Sequence, residues 1–181
     1  MKIRKKIEKI LYSFGTSFSG YDVDIEIKYL KDNILDKYKN RDVVDIGCGD
    51  GKLSIRIKEV LEPESFLGVD LSDAMIASAQ KKGLDARVLN VEETNLSGDM
   101  GVMWGSLHHL TNPVRTTKNL SGKFKDIMIR ESIDDSRIFE LGHKMSKQDL
   151  MNVIEDAGLI INEKISIPEN KSMILFVSKG E

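Results

Sequence analysis

One stretch constrains this chain more than any other: Val43-Val44-Asp45-Ile46-Gly47-Cys48-Gly49-Asp50-Gly51. Two β-branched residues lead to an acid, three glycines alternate with other residues, and a helical pattern begins at Lys52. That order reads as a buried first strand, a tight turn and the start of a helix. Glycine reaches dihedrals that other residues avoid and lets a ligand approach the backbone closely. A bound nucleotide-like cofactor is the natural reason for such a turn.

Spacing and charge narrow the choice of cofactor. The dinucleotide fingerprint G-x-G-x-x-G requires a third glycine at position 52, which is Lys52 here. Asp45 and Asp50 would oppose a pyrophosphate, which needs backbone N–H groups and a helix N-terminus. They suit a ligand with a cationic end, and a dehydrogenase is disfavoured on both counts. The stretch resembles motif I, D/E-x-G-x-G-x-G, of the class I S-adenosylmethionine (SAM) dependent methyltransferases. In that family the glycines lie against the methionyl part of SAM, near its ammonium group. The resemblance thus implies cofactor contacts at Gly47, Gly49 and Gly51, with Asp45 as the acidic member of the motif.

The next segments extend the pattern. Leu53, Ile57, Val60 and Leu61 make a helix that Pro63 helps end, and Ser65 to Val69 reads as a second strand closed by Asp70. An acid about 20 residues past a glycine turn is the usual ligand of ribose hydroxyls. Two vicinal hydroxyls donate to two carboxylate oxygens, which a short neutral side chain cannot match. The resemblance gives Asp70 the same role and places Leu71 near the adenine. Ser72 is a candidate N-cap for a helix through Met75, Ile76 and Ala79 that stops at Gly83. A third strand, Ala86 to Leu89, leads to Asn90-Val91-Glu92. There the family uses a polar side chain for the adenine amino group and a backbone N–H for a ring nitrogen. Asn90 and Val91 take those places, and Glu92 can share the contact.

A fourth strand, Gly101 to Trp104, is preceded by Asp99 and ends in Gly105-Ser106-Leu107-His108-His109-Leu110. This resembles the D-x-V-x-x-x-x-x-L-H-H type of small-molecule methyltransferases. Ligands of open parallel sheets bind beyond the carboxyl ends of the strands, so the segment borders the transferring methyl. His108 and His109 are the candidate catalytic residues, since an unperturbed histidine titrates near pH 6.5. The alternative is that they cap Asn112-Pro113 or simply pack. Neither an Asn-Pro-Pro-Tyr nor an Asp-Pro-Pro-Tyr motif of amino methyltransferases follows the fourth strand, and no Pro-Cys nucleophile is present. Cys48, the one cysteine, reads as a small buried residue, and no metal site is expected.

Two amphipathic helices are expected ahead of the core. One has Ile3, Ile7, Ile10, Leu11 and Phe14 on a face. The other has Val23, Ile27, Leu30, Ile34 and Tyr38 in register, after a loop from Gly15 to Gly20. They either dock on the domain or form a lid that brings Phe18 and Tyr21 to the cofactor. Tyr21-Asp22 looks like the Tyr-Asp pair of small methyltransferases. Toward the C-terminus, Asn112-Pro113 starts a helix, and Asp126 to Arg130 is a fifth strand ending at Glu131-Ser132. Residues 132–144, with Asp134, Asp135, Arg137 and His143, form a polar loop that shapes the acceptor pocket. Ser146 to Asp149 resembles a capping box. The helix after it runs to Gly158, and the chain finishes in two strands, Leu159 to Ile167 and Met173 to Val177.

The resemblance implies one domain over residues 1–181, with a lid segment at 1–40 and a Rossmann-like core at 41–181. It implies a doubly wound seven-stranded sheet of order 3-2-1-4-5-7-6. Six of its strands are parallel and the last is antiparallel, with helices on both faces. The implied cofactor is SAM, giving S-adenosylhomocysteine (SAH) as product. A formal net charge of −2 supplies no global basic field for nucleic acid. A small-molecule acceptor is therefore expected, with RNA or protein methylation and a non-catalytic SAM-binding role as alternatives. No apolar run is long enough to span a membrane and no signal peptide is legible, so the cytoplasm is expected. Oligomeric state stays open.

Overall fold

The computed structural model describes residues 22–93, 95–133 and 145–180. The expected first helix, the loop with Phe18, Tyr21, and residues 134–144 with Asp134, Asp135, Arg137 and His143 lie outside the described residues.

Seven strands form one sheet: β1 (Asp42–Ile46), β2 (Ser65–Asp70), β3 (Ala86–Val88), β4 (Gly98–Trp104), β5 (Phe124–Ser132), β6 (Leu159–Ile167) and β7 (Ser172–Lys179). Their order is β3-β2-β1-β4-β5-β7-β6. The pairs among β1 to β5 are parallel, and β7 runs antiparallel to both β5 and β6. Among the described residues, five α-helices accompany it: α1 (Val23–Asn33), α2 (Lys52–Leu61), α3 (Asp73–Lys81), α4 (Pro113–Ser121) and α5 (Lys147–Asp156).

The period of two along each strand divides the core into two layers. Val43, Met100, Met128 and Phe176 pack with Ile27 and Leu30 of α1, Ile57 and Leu61 of α2, and Ile76 of α3. Their strand neighbours Val44, Ile127, Ile129 and Leu175 pack on the opposite face with Leu120 of α4 and Leu150 and Ile154 of α5. The sheet is therefore covered on both sides, as the near-continuous apolar strands require.

The helix starts follow their caps. Ser72 accepts from Met75 N at 3.4 Å and Asn112 from Arg115 N at 2.9 Å, with Pro113 in the first turn of α4. Ser146 and Asp149 form the expected capping box.

Two boundaries differ from the sequence reading by three residues or more. The α1 helix stops at Asn33, whose side-chain amide turns back to donate to Tyr29 O at 2.8 Å. Tyr38 therefore sits in a separate 3-10 turn, Asp36–Tyr38, and its ring stacks on Phe176 with centroids 4.2 Å apart. Strand β4 begins at Gly98 rather than Gly101. Ser97-Gly98-Asp99 looks like a turn in sequence, but the Phe124 ring packs over Gly98 and Gly101 and makes their bare backbone part of the sheet.

Strand β5 ends in a buried cation and a buried anion on opposite faces. Arg130 lies with the α1 layer and pairs with Glu26, which also accepts from Ser172 Oγ. Glu131, one residue on, lies with the α4 and α5 layer. The Glu26–Arg130 pair fastens α1 to the sheet directly behind the strand ends.

Candidate functional site

The glycine turn is held by β2. Gly47 N and Cys48 N both donate to Val69 O, at 2.8 and 3.0 Å. The Asp70 carboxylate, at the end of β2, accepts from Gly49 N through Oδ2 at 3.0 Å and from Ser72 N through Oδ1 at 2.8 Å. Each oxygen of an ionised carboxylate offers about two acceptor sites, so each keeps capacity for a further donor.

The three glycines serve three geometric ends. All have positive φ, at 84°, 55° and 79° for Gly47, Gly49 and Gly51. A Cβ on Gly47 would stand 2.6 Å from Ser106 Cβ, and one on Gly51 would stand 2.9 Å from Ala79 Cβ. At Gly49 a Cβ would meet nothing within 4 Å. Gly47 thus lets the turn close on the β4 loop, Gly51 lets α3 pack, and Gly49 leaves bare backbone facing open space.

Asp45 lies beneath the turn and is 3% exposed. Burial pushes its carboxyl up to about 6; the Ser54 hydroxyl draws it down and the like charge of Asp70 adds to the rise. Cys48 is buried against Gly68, and burial with the Asp45 and Asp70 charges pushes its thiol up to about 12, which makes it an inert filler. Asp50 does not face a ligand as an open charge: Lys82 Nζ donates to its carbonyl at 2.7 Å and to its carboxylate at 3.2 Å.

Leu89 N donates to Asp70 O at 2.9 Å, which sets the end of β3 beside Asp70. Leu71 is 69% exposed next to it. Asn90 and Val91 follow, both half-buried, and Asn90 Oδ1 accepts from Glu92 N at 3.1 Å. Glu92 is turned away from this row. Its carboxylate accepts from Asn112 N at 3.3 Å and Thr116 Oγ1 at 3.2 Å at the start of α4. Burial would raise its pKa, but these bonds and those from Thr111 outweigh it and hold the group low. The sharing expected of Glu92 is replaced by a tie to a helix N-terminus, where negative charge is favoured.

The β4 loop joins the cradle through Ser106. Its hydroxyl donates to Ile46 O at 2.6 Å while its Cβ abuts Gly47. A 3-10 turn, Leu107–His109, follows. His108 Nδ1 lies 2.7 Å from Glu131 Oε2, and Leu107 N donates to Glu131 Oε1 at 3.0 Å. The His109 ring is exposed and tilts against that of His108, with centroids 4.0 Å apart.

The structure thus gathers Asp45, Gly47, Gly49, Gly51, Asp70, Leu71, Asn90, Val91 and His108 along the carboxyl edge of β1 to β4, where open parallel sheets bind ligands. Sequence reasoning missed Lys82 as the clamp on Asp50, Ser106 as the contact on Gly47, and Glu131 as the partner of His108. Only Glu131 carried a signal: like Asp45 and Asp70, it is an acid closing an apolar strand.

The comparisons with known proteins agree with this geometry. A family described as a methyltransferase domain matches residues 44–126. A putative methyltransferase, 235L of Invertebrate iridescent virus 6, is 26% identical over 56% of this chain and 45% of its own. The mRNA cap guanine-N(7) methyltransferase of Eremothecium gossypii is 37% identical over 40% of this chain and 16% of its own. The chain thus spans less than half the length of these relatives. Among solved structures, a SAM-dependent methyltransferase of Thermotoga maritima, described as a possible histamine N-methyltransferase, superposes with a TM-score of 0.72 at 15% identity, covering 96% of this chain and 97% of that one. Residues 44–126 are thus similar to a methyltransferase domain, and the fold of the chain is the one this Thermotoga structure shows. Among the described residues, no helix is long and apolar enough to cross a membrane.

Proposed function

We propose that this protein transfers the methyl group of SAM to a small-molecule acceptor and releases SAH. The observation that carries the reading is the Asp70 carboxylate, fixed by Gly49 N–H and Ser72 N–H beside the open face of Gly49. It offers two oriented oxygens to a pair of vicinal hydroxyls, the chemistry of an unsubstituted ribose. Gly47 and Gly49 then lie along the methionyl part, with Gly51 closing the turn. Leu71 covers the adenine, and Asn90 and Val91 meet its amino edge. Asp45 supplies negative charge beneath the end that carries the ammonium. His108 and His109 border the methyl.

The reaction asks little more of the chain. The acceptor atom attacks the methyl carbon in line with the breaking C–S bond, and the electron pair of that bond neutralises the sulfonium. Holding the reactants in line in a water-poor site supplies much of the acceleration.

A small-molecule acceptor fits the charge of the chain, whose formal value is −2. An RNA-binding surface draws its affinity from counterions released by a basic footprint. The cap-enzyme likeness covers 75 residues, which suits a shared cofactor half without a shared acceptor site. The test is incubation of the protein with methyl-labelled SAM and, separately, a mixture of small metabolites and total RNA from a methylation-poor source. Label in a small product supports the reading. Stoichiometric label in one RNA species, or in a protein, replaces it, and SAM binding without transfer to any pool assigns a regulatory role.

A further inference from the structure

Glu131 is the least expected polar group in the described structure. It is 1% exposed, and its carboxylate accepts from one backbone N–H and faces one imidazole. A buried carboxylate is costly unless its oxygens are satisfied. Here Oε1 takes Leu107 N–H at 3.0 Å, which fixes the 3-10 turn, and Oε2 faces His108 Nδ1 at 2.7 Å, which fixes the ring. The arrangement joins two strand ends at the ligand edge: Glu131 belongs to β5, and His108 follows β4 by a turn. It stands two residues from Ser106, whose Cβ would collide with any side chain at Gly47. The imidazole is therefore held next to the cofactor turn, not on a remote surface. The side chain of His108 is 21% exposed against 1% for Glu131. What the pair presents at the sheet edge is the ring.

We infer that Glu131 is the positioning residue of a proton-accepting His108, and that the acceptor of the methyl group is one that must shed a proton, such as a phenolic or enolic hydroxyl. The inference rests on the methyltransferase reading. An ionised carboxylate only accepts hydrogen bonds, so it holds the proton on Nδ1 and leaves Nε2 with a free lone pair. As the acceptor oxygen attacks the methyl carbon, the C–S bond breaks toward sulfur and the O–H proton passes to Nε2. The products are the methyl ether, neutral SAH and an imidazolium whose charge faces the Glu131 carboxylate. A base is needed only where the nucleophile loses a proton; a tertiary amine or a thioether acceptor would give this pair nothing to do. His109, exposed beside the ring, is a second titratable group facing it.

The test is nitrogen NMR of the histidine rings in the full chain, with the His108 signals assigned by their loss in His108→Gln. SAH binding is measured by calorimetry on every variant. The expected result is the Nδ1–H tautomer for neutral His108 in the wild type. Glu131→Gln should give mixed tautomers, and Glu131→Asp should restore the bias in part. A wild-type His108 in the Nε2–H tautomer, or a tautomer indifferent to Glu131→Gln, overturns the inference while leaving the methyltransferase reading intact. Absence of SAH binding in the wild type overturns both. Should Glu131→Gln fail to fold, the wild-type tautomer alone decides.

Discussion

The carboxylate of Asp70 accepts the backbone N–H of Gly49 at 3.0 Å, across 21 residues of chain. The side chain proposed as the ribose ligand also fixes the open glycine of the turn. Its removal therefore acts twice, on the ligand and on the loop that holds it.

Asp70→Ala should weaken SAM binding by about 1–3 kcal/mol, roughly 5- to 150-fold, through lost hydrogen bonds and a loosened turn. Asp70→Asn keeps one acceptor oxygen and should fall between. Isothermal calorimetry on the three proteins gives the order. Equal affinity in all three would remove Asp70 from the site.

The glycines separate in the same experiment. Gly49→Val meets no neighbour, so its only structural cost is a branched residue at a φ of 55°, and it should lower cofactor affinity while reducing stability less than Gly51→Val. Gly51→Val drives a branched side chain into Ala79 and Leu84 and should unfold the turn against α3, lowering the melting temperature strongly. Thermal melts with and without SAH distinguish the two.

Much of this was legible in the sequence, because it depends on local spacing. The acid that closes β1, the alternating glycines and the acid that closes β2 need no long-range knowledge, and the strand order came with the family they resemble. The glycine roles were not legible. Whether a missing Cβ admits a ligand, a loop or a helix is decided by what packs against it, here Ser106 for Gly47 and Ala79 for Gly51. Glu131 was hidden for the same reason, since its partner His108 lies 23 residues away and on another strand's loop. Tyr38 continued the apolar period of α1 in sequence, yet the helix ended at Asn33, five residues earlier, with the extended Ile34 as its C-cap, and the Tyr38 ring stacks on Phe176.

Asp45 gives the protein a pH signature. Its pKa is raised from 3.8 to about 6 in the folded state, so between those values the folded protein binds more protons than the unfolded chain. Stability is then greatest below the unfolded pKa and falls as pH rises through about 6, by on the order of 3 kcal/mol. Asp45→Asn removes that loss. Its melting temperature should exceed the wild-type value at pH 8 and converge with it near pH 4, while SAM binds more weakly at pH 8. Parallel melting curves at both pH values would contradict the assignment.

The Glu26–Arg130 pair predicts a large and specific destabilisation. Glu26→Ala leaves a guanidinium that is 6% exposed without its carboxylate, at a cost of about 3–5 kcal/mol. Denaturant unfolding should show the midpoint fall, and Glu26→Gln should recover part of it. A Glu26→Ala protein as stable as the wild type would mean that α1 is not held by this pair.

The central claim is that the glycine turn and Asp70 form a SAM site. Calorimetry of the full chain against SAM, SAH and NAD tests it most directly. The account predicts one-site binding of SAM and SAH, competitive with each other, weakened by Asp70→Ala and by Gly49→Val, with no heat from NAD. Binding of NAD with no response to either sulfur ligand would contradict it.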